Sequence, residues 1–117
     1  MKIQFENGNI SSFPKQICIF EHEGKKIHCN VDMMIEEYKK KKQMRLKVDE
    51  IYKYISKVDA EYAVNTTNNN PIIVVKFVDN TYEILDGNHR LYRAFSEEKE
   101  EIEAYVLNEN DLKRYII

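Results

Sequence analysis

The chain has 117 residues, a formal net charge of −2, 43% hydrophobic residues and two cysteines. This length suits one modest core, so we expect a single domain spanning residues 1–117. The slight negative charge gives no general attraction to nucleic acid, and two cysteines exclude a disulfide-dense secreted scaffold. Without an apolar run of the roughly 20 residues that cross a bilayer or a signal-peptide pattern, we expect a cytoplasmic protein without a membrane partner.

The first elements predict a β-hairpin. Residues 16–20 and 25–31 have the composition of strands, and Glu23-Gly24 between them is a typical two-residue turn. Such a turn places Cys18 directly opposite Cys29. We expect both thiols to be reduced, with a redox-sensitive pair as the alternative.

Two helices are predicted next. Asp32 is a suitable N-cap for a helix over residues 33–43, whose end carries the basic run Lys39–Lys42. This run is interpreted as a solvated face, or as a patch that attracts an anionic ligand or partner. A second helix is predicted to start near Asp49, and its inner face would consist of Ile51, Ile55 and Val58.

The second half predicts an α+β fold: a mixed sheet with flanking helices, to which the N-terminal β-hairpin is added. Residues 72–78 are apolar on both faces, which favours a central strand covered on both sides. The other predicted elements are a polar loop over residues 65–71, a returning strand over 82–85, a helix over 89–97, a strand over 102–107, and a final helix capped by Asn108 or Asn110.

The segment Asp86-Gly87-Asn88-His89-Arg90 joins a predicted strand to a predicted helix. The first backbone N–H groups of a helix lack intrahelical partners and lie at its positive end, so they favour anions. Gly87 allows close approach to the backbone, and Arg90 can bind phosphate through two hydrogen bonds. Asp86 could hold magnesium or accept a hydroxyl proton. The alternative is that these residues only form a polar turn and cap the helix.

Residues 47–117 resemble the ParB/sulfiredoxin-like superfamily, whereas residues 1–46 match no family that we can name. The matching segments are Lys47–Ile51, Pro71-Ile72, Tyr82–Leu85, Gly87–Arg90, Ile102–Val106 and Asp111–Tyr115. The resemblance implies nucleotide binding. It does not imply sulfiredoxin activity, because Asn88 stands where sulfiredoxins have the reactive cysteine. Partition-type members bind CTP through Gly-Glu-Arg-Arg and carry a further DNA-binding domain, for which this chain is too short. Free-serine kinases carry Asp-Gly-His-His-Arg, which differs from this turn only at Asn88.

The resemblance therefore implies a nucleotide-binding protein, with phosphate transfer between ATP or ADP and a small hydroxyl substrate as its most specific form. The implied catalytic residues are Asp86, His89 and Glu50, with Asp86 as the magnesium ligand. The implied phosphate-binding residues are Lys47, Gly87, Asn88, His89 and Arg90. Positioning and charge neutralisation, which phosphoryl transfer mainly requires, are within reach of these residue types.

A second hypothesis is a non-catalytic interaction or inhibitor protein of a phage or mobile element that uses the fold as a scaffold. Residues 1–46 would then form the surface that binds a protein partner. We do not expect a nuclease or a nucleic-acid partner, because the net charge is slightly negative and no carboxylates cluster at metal-site spacing.

Overall fold

The computed structural model describes residues 16–56 and 58–117, so the first 15 residues of the predicted domain lie outside the described part. The strands are β1 (Ile17–His22), β2 (Lys25–Asn30), β3 (Met44–Lys47), β4 (Ile72–Lys76), β5 (Tyr82–Asp86) and β6 (Glu101–Leu107). The helices are α1 (Val31–Tyr38), α2 (Val48–Ile51), α3 (Ala60–Asn65), α4 (Asn88–Ser96) and α5 (Glu109–Lys113), and a 3₁₀ turn follows α2 at Tyr52–Tyr54. The predicted α+β class with an N-terminal hairpin is confirmed.

The hairpin has the predicted turn and register. Glu23 and Gly24 both have positive φ angles, 53° and 78°, which is the geometry of the two-residue turn that matches strand twist. Cys18 pairs with Cys29 across the two strands. Both cysteines are free, with Cys18 half-buried and Cys29 buried.

The first helix differs from the prediction at both ends. Its N-cap is Asn30, whose side chain accepts a hydrogen bond from the Met33 backbone N–H at 3.0 Å, and not Asp32, which lies inside the helix. The helix ends at Tyr38 and not at residue 43, because the chain must turn to enter β3. Lys39–Lys42 therefore lie in an exposed turn between α1 and β3.

The predicted second helix is much shorter than expected. It consists of α2 and the 3₁₀ turn, after which Ile55 adopts an extended conformation. Val58 thus lies outside the helix that was predicted to include it. Two elements were not predicted at all: strand β3, which precedes α2, and helix α3, whose N-cap Asp59 accepts a hydrogen bond from the Tyr62 N–H.

The four-stranded sheet has the order β3-β6-β4-β5, with β4 parallel to β6 and antiparallel to β5. The predicted central position of β4 is confirmed, and its first four residues are all buried. The strand ends at Lys76, two residues earlier than predicted, because the next residues form the turn to β5. Val78 in that turn is 89% exposed.

Alternate residues of β4 enter two separate hydrophobic clusters, one on each face of the sheet. Ile73 and Val75 pack under the hairpin, α1 and α5, together with Phe20, Cys29, Met34, Tyr38, Leu107, Leu112 and Tyr115. Ile72 and Val74 pack under α2 and α4, together with Val48, Ile51, Ile84, Leu91, Ala94 and Ala104. The second cluster supports the start of α4, where the segment Asp86–Arg90 lies.

The last residues of the chain hold the hairpin and α1 in place. The Asn30 N–H donates to the Tyr115 carbonyl, and the Ile117 N–H to the His28 carbonyl, both at 2.8 Å. Arg114 forms two hydrogen bonds with Glu37, at 2.9 and 2.7 Å, and the Tyr115 hydroxyl adds a third at 2.8 Å. None of the described helices is long and apolar enough to cross a membrane.

Candidate functional site

Gly87 forms the turn between β5 and α4, as the sequence predicts. Its φ of 104° lies in the left-handed region, where a side chain is strained. A Cβ at this position would also fall 2.5 Å from Cγ2 of Ile72, a core residue of β4. The fold therefore requires glycine at this position whether or not a ligand binds. Anion binding here would depend on the backbone N–H groups that follow Gly87.

Those N–H groups begin helix α4 without side-chain help. The N-caps of α1, α3 and α5 accept hydrogen bonds through Asn or Asp side chains, whereas Gly87 has no side chain to cap α4. The first turn of α4 contains no acidic residue either. Two of the described helices are longer than six residues, α1 and α4. Of these two, α1 has a side-chain cap and an acidic residue in its first turn, whereas α4 has neither.

Asp86 and Arg90 form an ion pair across this turn. The guanidinium Nη2 donates to Oδ2 of Asp86 at 2.8 Å, and both side chains are largely buried, 20% and 10% exposed. Nη1 of Arg90 donates to the carbonyls of Asn70 and Pro71, at 2.8 and 3.0 Å. Arg90 therefore fixes the chain at the entry to β4, and much of its hydrogen-bonding capacity is already used within the protein.

Asn88 and His89 hold the segment that connects the 3₁₀ turn to α3. Oδ1 of Asn88 accepts from the Ser56 backbone N–H at 3.0 Å. Nε2 of His89 accepts from the Asp59 backbone N–H at 3.1 Å, so this nitrogen carries no proton. The ring of His89 also meets the Tyr62 ring edge-on at 4.9 Å. Both motif residues thus serve as acceptors for backbone groups.

Lys47 is not brought to the Gly87 turn. It is exposed at the end of β3 and lines a depression together with Phe95 and Ser96, which lie at the opposite end of α4 from Gly87. Nine helical residues span roughly 13 Å. Lys47 and Gly87, which were predicted to bind one phosphate group together, therefore do not lie at the same place in this structure.

Glu50 is separated from Asp86 in the same way. It is exposed and lines a shallow depression with Lys53, Tyr54 and Tyr82. Tyr82 begins β5 and Asp86 ends it, and four residues along a strand span about 13 Å. The proposed base Glu50 and the proposed acid-base residue Asp86 thus lie at opposite ends of one strand.

Arg93, which sequence reasoning missed, lies one turn after Arg90 on the same helix. Its guanidinium donates to the Thr66 and Asn68 carbonyls, the latter at 3.0 Å. Together the two arginines bind backbone carbonyls of the polar loop before β4 and line a cleft of about 410 Å³. Further charged side chains line this cleft: Arg45, Lys99, Glu97, Glu101 and Glu103. The spacing of Arg90 and Arg93, three residues apart on one helix, is the signal that could have predicted a shared role.

The hairpin thiols are poorly suited to nucleophilic chemistry. Burial, followed by the nearby Glu83 carboxylate, raises the pKa of Cys18 to about 12, and burial raises the pKa of Cys29 to about 11. A thiol attacks as its thiolate, so neither residue is activated. This agrees with the sequence argument against a cysteine-based reaction.

The described residues do not form a magnesium site from side chains alone. Residues 16–56 and 58–117 contain no group of three or more His, Cys, Asp or Glu residues that could hold a metal ion. Asp86, the predicted ligand, already shares Oδ2 with Arg90. Magnesium often binds one or two carboxylates together with substrate phosphates, so an ion here would depend on a bound nucleotide.

Comparison of the chain with protein-family models, with curated proteins and with solved structures found no match.

Proposed function

We propose that the chain is a nucleotide-binding domain of the ParB/sulfiredoxin-like kind, which holds phosphate groups at the start of α4. The observation that carries the proposal is the N-terminus of this nine-residue helix, which has no side-chain cap and no acidic residue in its first turn. Its backbone N–H groups and dipole favour an anion. Placing the Arg90 cation in the same turn opposes the dipole, and a bound phosphate would offset that cost.

The neighbouring cleft supplies room for the rest of a nucleotide. Its volume, about 410 Å³, lies within the range of small-molecule pockets, roughly 300–1,000 Å³. Arg90 lines this cleft and also belongs to the Gly87 turn, so one residue connects the two places. We propose that the phosphates lie at the turn and that the remainder of the ligand extends along Arg90 and Arg93.

Phosphate transfer from ATP or ADP to a small hydroxyl substrate is the activity we propose for such a site. Asp86 would orient the hydroxyl through its remaining carboxylate oxygen. Glu50 and Lys47 are left out of this proposal, because Lys47 lines a depression at the far end of α4 from the turn and Glu50 lines one at the far end of β5. A reaction at this turn would therefore depend on Asp86 and on the charges of the ligand itself.

Isothermal titration with ATP, ADP and CTP, each with and without magnesium, tests the binding. The informative variant is Asn88→Asp, which keeps an acceptor for the Ser56 N–H and suits the helix dipole, but places a negative charge beside the phosphates. We expect it to fold as well as the parent and to bind nucleotide at least tenfold more weakly. Lys113→Gln on α5 is the matched control, since it changes the net charge by the same amount at a distance.

No binding of any of the three nucleotides at millimolar concentration would end this proposal. Equal weakening by Asn88→Asp and Lys113→Gln would count against the Gly87 turn as the place of binding. If nucleotide binds, ADP formed from ATP in the presence of serine and other small hydroxyl compounds tests the transfer step separately.

One observation favours the second candidate, a non-catalytic interaction protein. Asn88, His89 and Arg90 all bind backbone groups of neighbouring loops, so the motif has a complete architectural role without a ligand. For this candidate we expect one protein partner bound at a fixed stoichiometry, with equal affinity for the parent and for Asn88→Asp. Loss of that partner in Asn88→Asp would instead connect the interaction to the turn.

A further inference from the structure

Strand β3 forms an open edge of the four-stranded sheet. It pairs with β6 on one side, and no other described strand pairs with it. Three of its four residues are exposed: Met44 is 54% exposed, and the Arg45 side chain is 71% exposed. An edge of this kind presents unpaired backbone donors and acceptors to an incoming strand.

The register identifies which backbone groups face outward. The Val48 N–H donates to the Glu100 carbonyl at 2.9 Å, which continues the pairing of Lys47 with Glu101. In an antiparallel ladder, alternate residues bond to the same neighbour. Met44 and Leu46 therefore direct their N–H and C=O groups towards β6. Arg45 directs both of its groups towards the open edge, and Lys47 directs its N–H there. The Lys47 carbonyl is excluded, because Lys47 is the N-cap of α2 and an N-cap carbonyl accepts the first bond of its helix.

The open edge itself carries basic side chains. Its two outward-facing residues are both cations, and the exposed run Lys39–Lys42 directly precedes the strand. Glu103 and Glu101 lie opposite Arg45 and Lys47 on β6, and Glu101 is 3.9 Å from the Arg45 guanidinium. Both carboxylates belong to the inner strand, so an incoming strand would lie next to the two cations. A second copy of β3 would bring like charges opposite each other, which is unfavourable. The edge thus selects against self-pairing and favours an acidic strand.

We propose that β3 binds an extended acidic segment of a partner protein as an added fifth strand. The occupant is a peptide and not a nucleic acid, because the edge alternates N–H donors with C=O acceptors at strand spacing. A peptide backbone matches both kinds of group, whereas phosphates can only accept. This surface lies at β3 and does not include the Gly87 turn, although Arg45 also lines the cleft beside that turn.

Two synthetic octapeptides test the proposal on the full chain: a Glu-Val repeat and a Lys-Val repeat of the same length. Amide hydrogen exchange is followed residue by residue. We expect the Arg45 and Lys47 amides to exchange quickly in the free protein and to slow when the Glu-Val peptide binds. We expect that peptide to bind at least about tenfold more tightly than the Lys-Val peptide, with the difference shrinking at high salt.

Variants of Arg45 distinguish the contribution of its charge to peptide binding from the contribution of its backbone N–H. Arg45→Gln removes the charge and keeps the outward N–H, whereas Arg45→Pro removes both, and proline is tolerated on an edge strand when its nitrogen faces outward. We expect Arg45→Gln to weaken the Glu-Val peptide severalfold and Arg45→Pro to weaken it further. Lys113→Gln is the charge-matched control and should bind like the parent. If Arg45→Pro does not fold, the exchange pattern of the parent still decides.

Three results would overturn the proposal. The first is slow exchange of both amides before any peptide is added, which would mean that the edge is already covered by the chain itself. The second is equal binding of the two peptides. The third is protection of the same two amides by an eight-nucleotide oligothymidylate, which would indicate a general polyanion surface.

Discussion

Gly87 lies against Ile72 so closely that no side chain fits between them: a Cβ on Gly87 would be 2.5 Å from Cγ2 and 2.9 Å from Cβ of Ile72. This contact joins the motif turn to the central strand. The start of α4 is thereby fixed relative to the sheet, and the orientation of every later motif residue follows from it.

Replacing Gly87 with alanine should be strongly destabilising. The left-handed φ costs about 1–2 kcal/mol for a residue with a Cβ, and overpacking against Ile72 adds about 1–3 kcal/mol. Gly24 is the matched control, because its φ of 78° is also positive but no atom lies within 4 Å of its Cβ position. We expect Gly24→Ala to lose about 1–2 kcal/mol in urea unfolding. Equal losses in the two variants would refute the Ile72 contact as the cause.

Arg90→Lys should reduce stability although it keeps the charge. Lysine cannot reach Asp86 and the two carbonyls before β4 with one ammonium group in the same geometry. We expect a loss of about 1–3 kcal/mol in the free energy of unfolding. The comparison is Arg45→Lys, whose side chain is mostly exposed and should change stability by less than about 0.5 kcal/mol. Unchanged stability of Arg90→Lys would mean that Arg90 is free to bind a ligand.

The tie between α1 and the C-terminal residues should depend on pH. Hydrogen bonds from Arg114 and then from Tyr115 hold the pKa of Glu37 at about 2, below its ordinary value of 4.5. A carboxyl with a lowered folded-state pKa stabilises the fold when ionised, so its contribution is complete above pH 4.5 and is lost as pH falls towards 2.

Glu37→Gln should therefore be less stable than the parent at pH 7 and should lose less stability between pH 5 and pH 2. Thermal unfolding across this range measures the difference. Glu100→Gln, which removes an exposed carboxylate outside this tie, is the charge-matched control. If the stability of the parent and that of Glu37→Gln changed in parallel with pH, the lowered pKa of Glu37 would be contradicted.

The hairpin thiols should react slowly with iodoacetamide in the folded protein. Because burial raises the pKa of Cys18 to about 12 and that of Cys29 to about 11, the thiolate fraction at pH 8 is very small. We expect alkylation roughly 100-fold slower than in urea. The single variants Cys18→Ala and Cys29→Ala report each thiol separately, and alkylation of either at the unfolded rate would show that its site is open.

The central strand β4 could be predicted from the sequence, whereas β3 could not. β4 is buried on both faces, so its apolar run indicated its central place. β3 has no such pattern, since Arg45 and Lys47 alternate with partly exposed residues, and it is a strand only because β6 offers a backbone to pair with. The same pairing ends α1 at Tyr38, against the helix-forming preference of the lysines that follow.

The position of the candidate site could be predicted, but the directions of its side chains could not. The glycine between a strand and a helix identified the turn from local sequence. Arg90, however, bonds to carbonyls about twenty residues away, and Asn88 to a backbone group 32 residues away. Such partners depend on how loops return in three dimensions. For the same reason sequence alone could not show that Lys47 and Glu50 lie apart from the turn.

The bonds from residues 114–117 to the hairpin and α1 have a consequence for synthesis on the ribosome. The hairpin and α1 are completed by residues that are made much later, since Arg114, which bonds to Glu37, follows it by 77 residues. Contacts so distant in sequence form late. During translation the hairpin would therefore emerge with its apolar side uncovered, and it would reach its final place only after Tyr115 had left the exit tunnel.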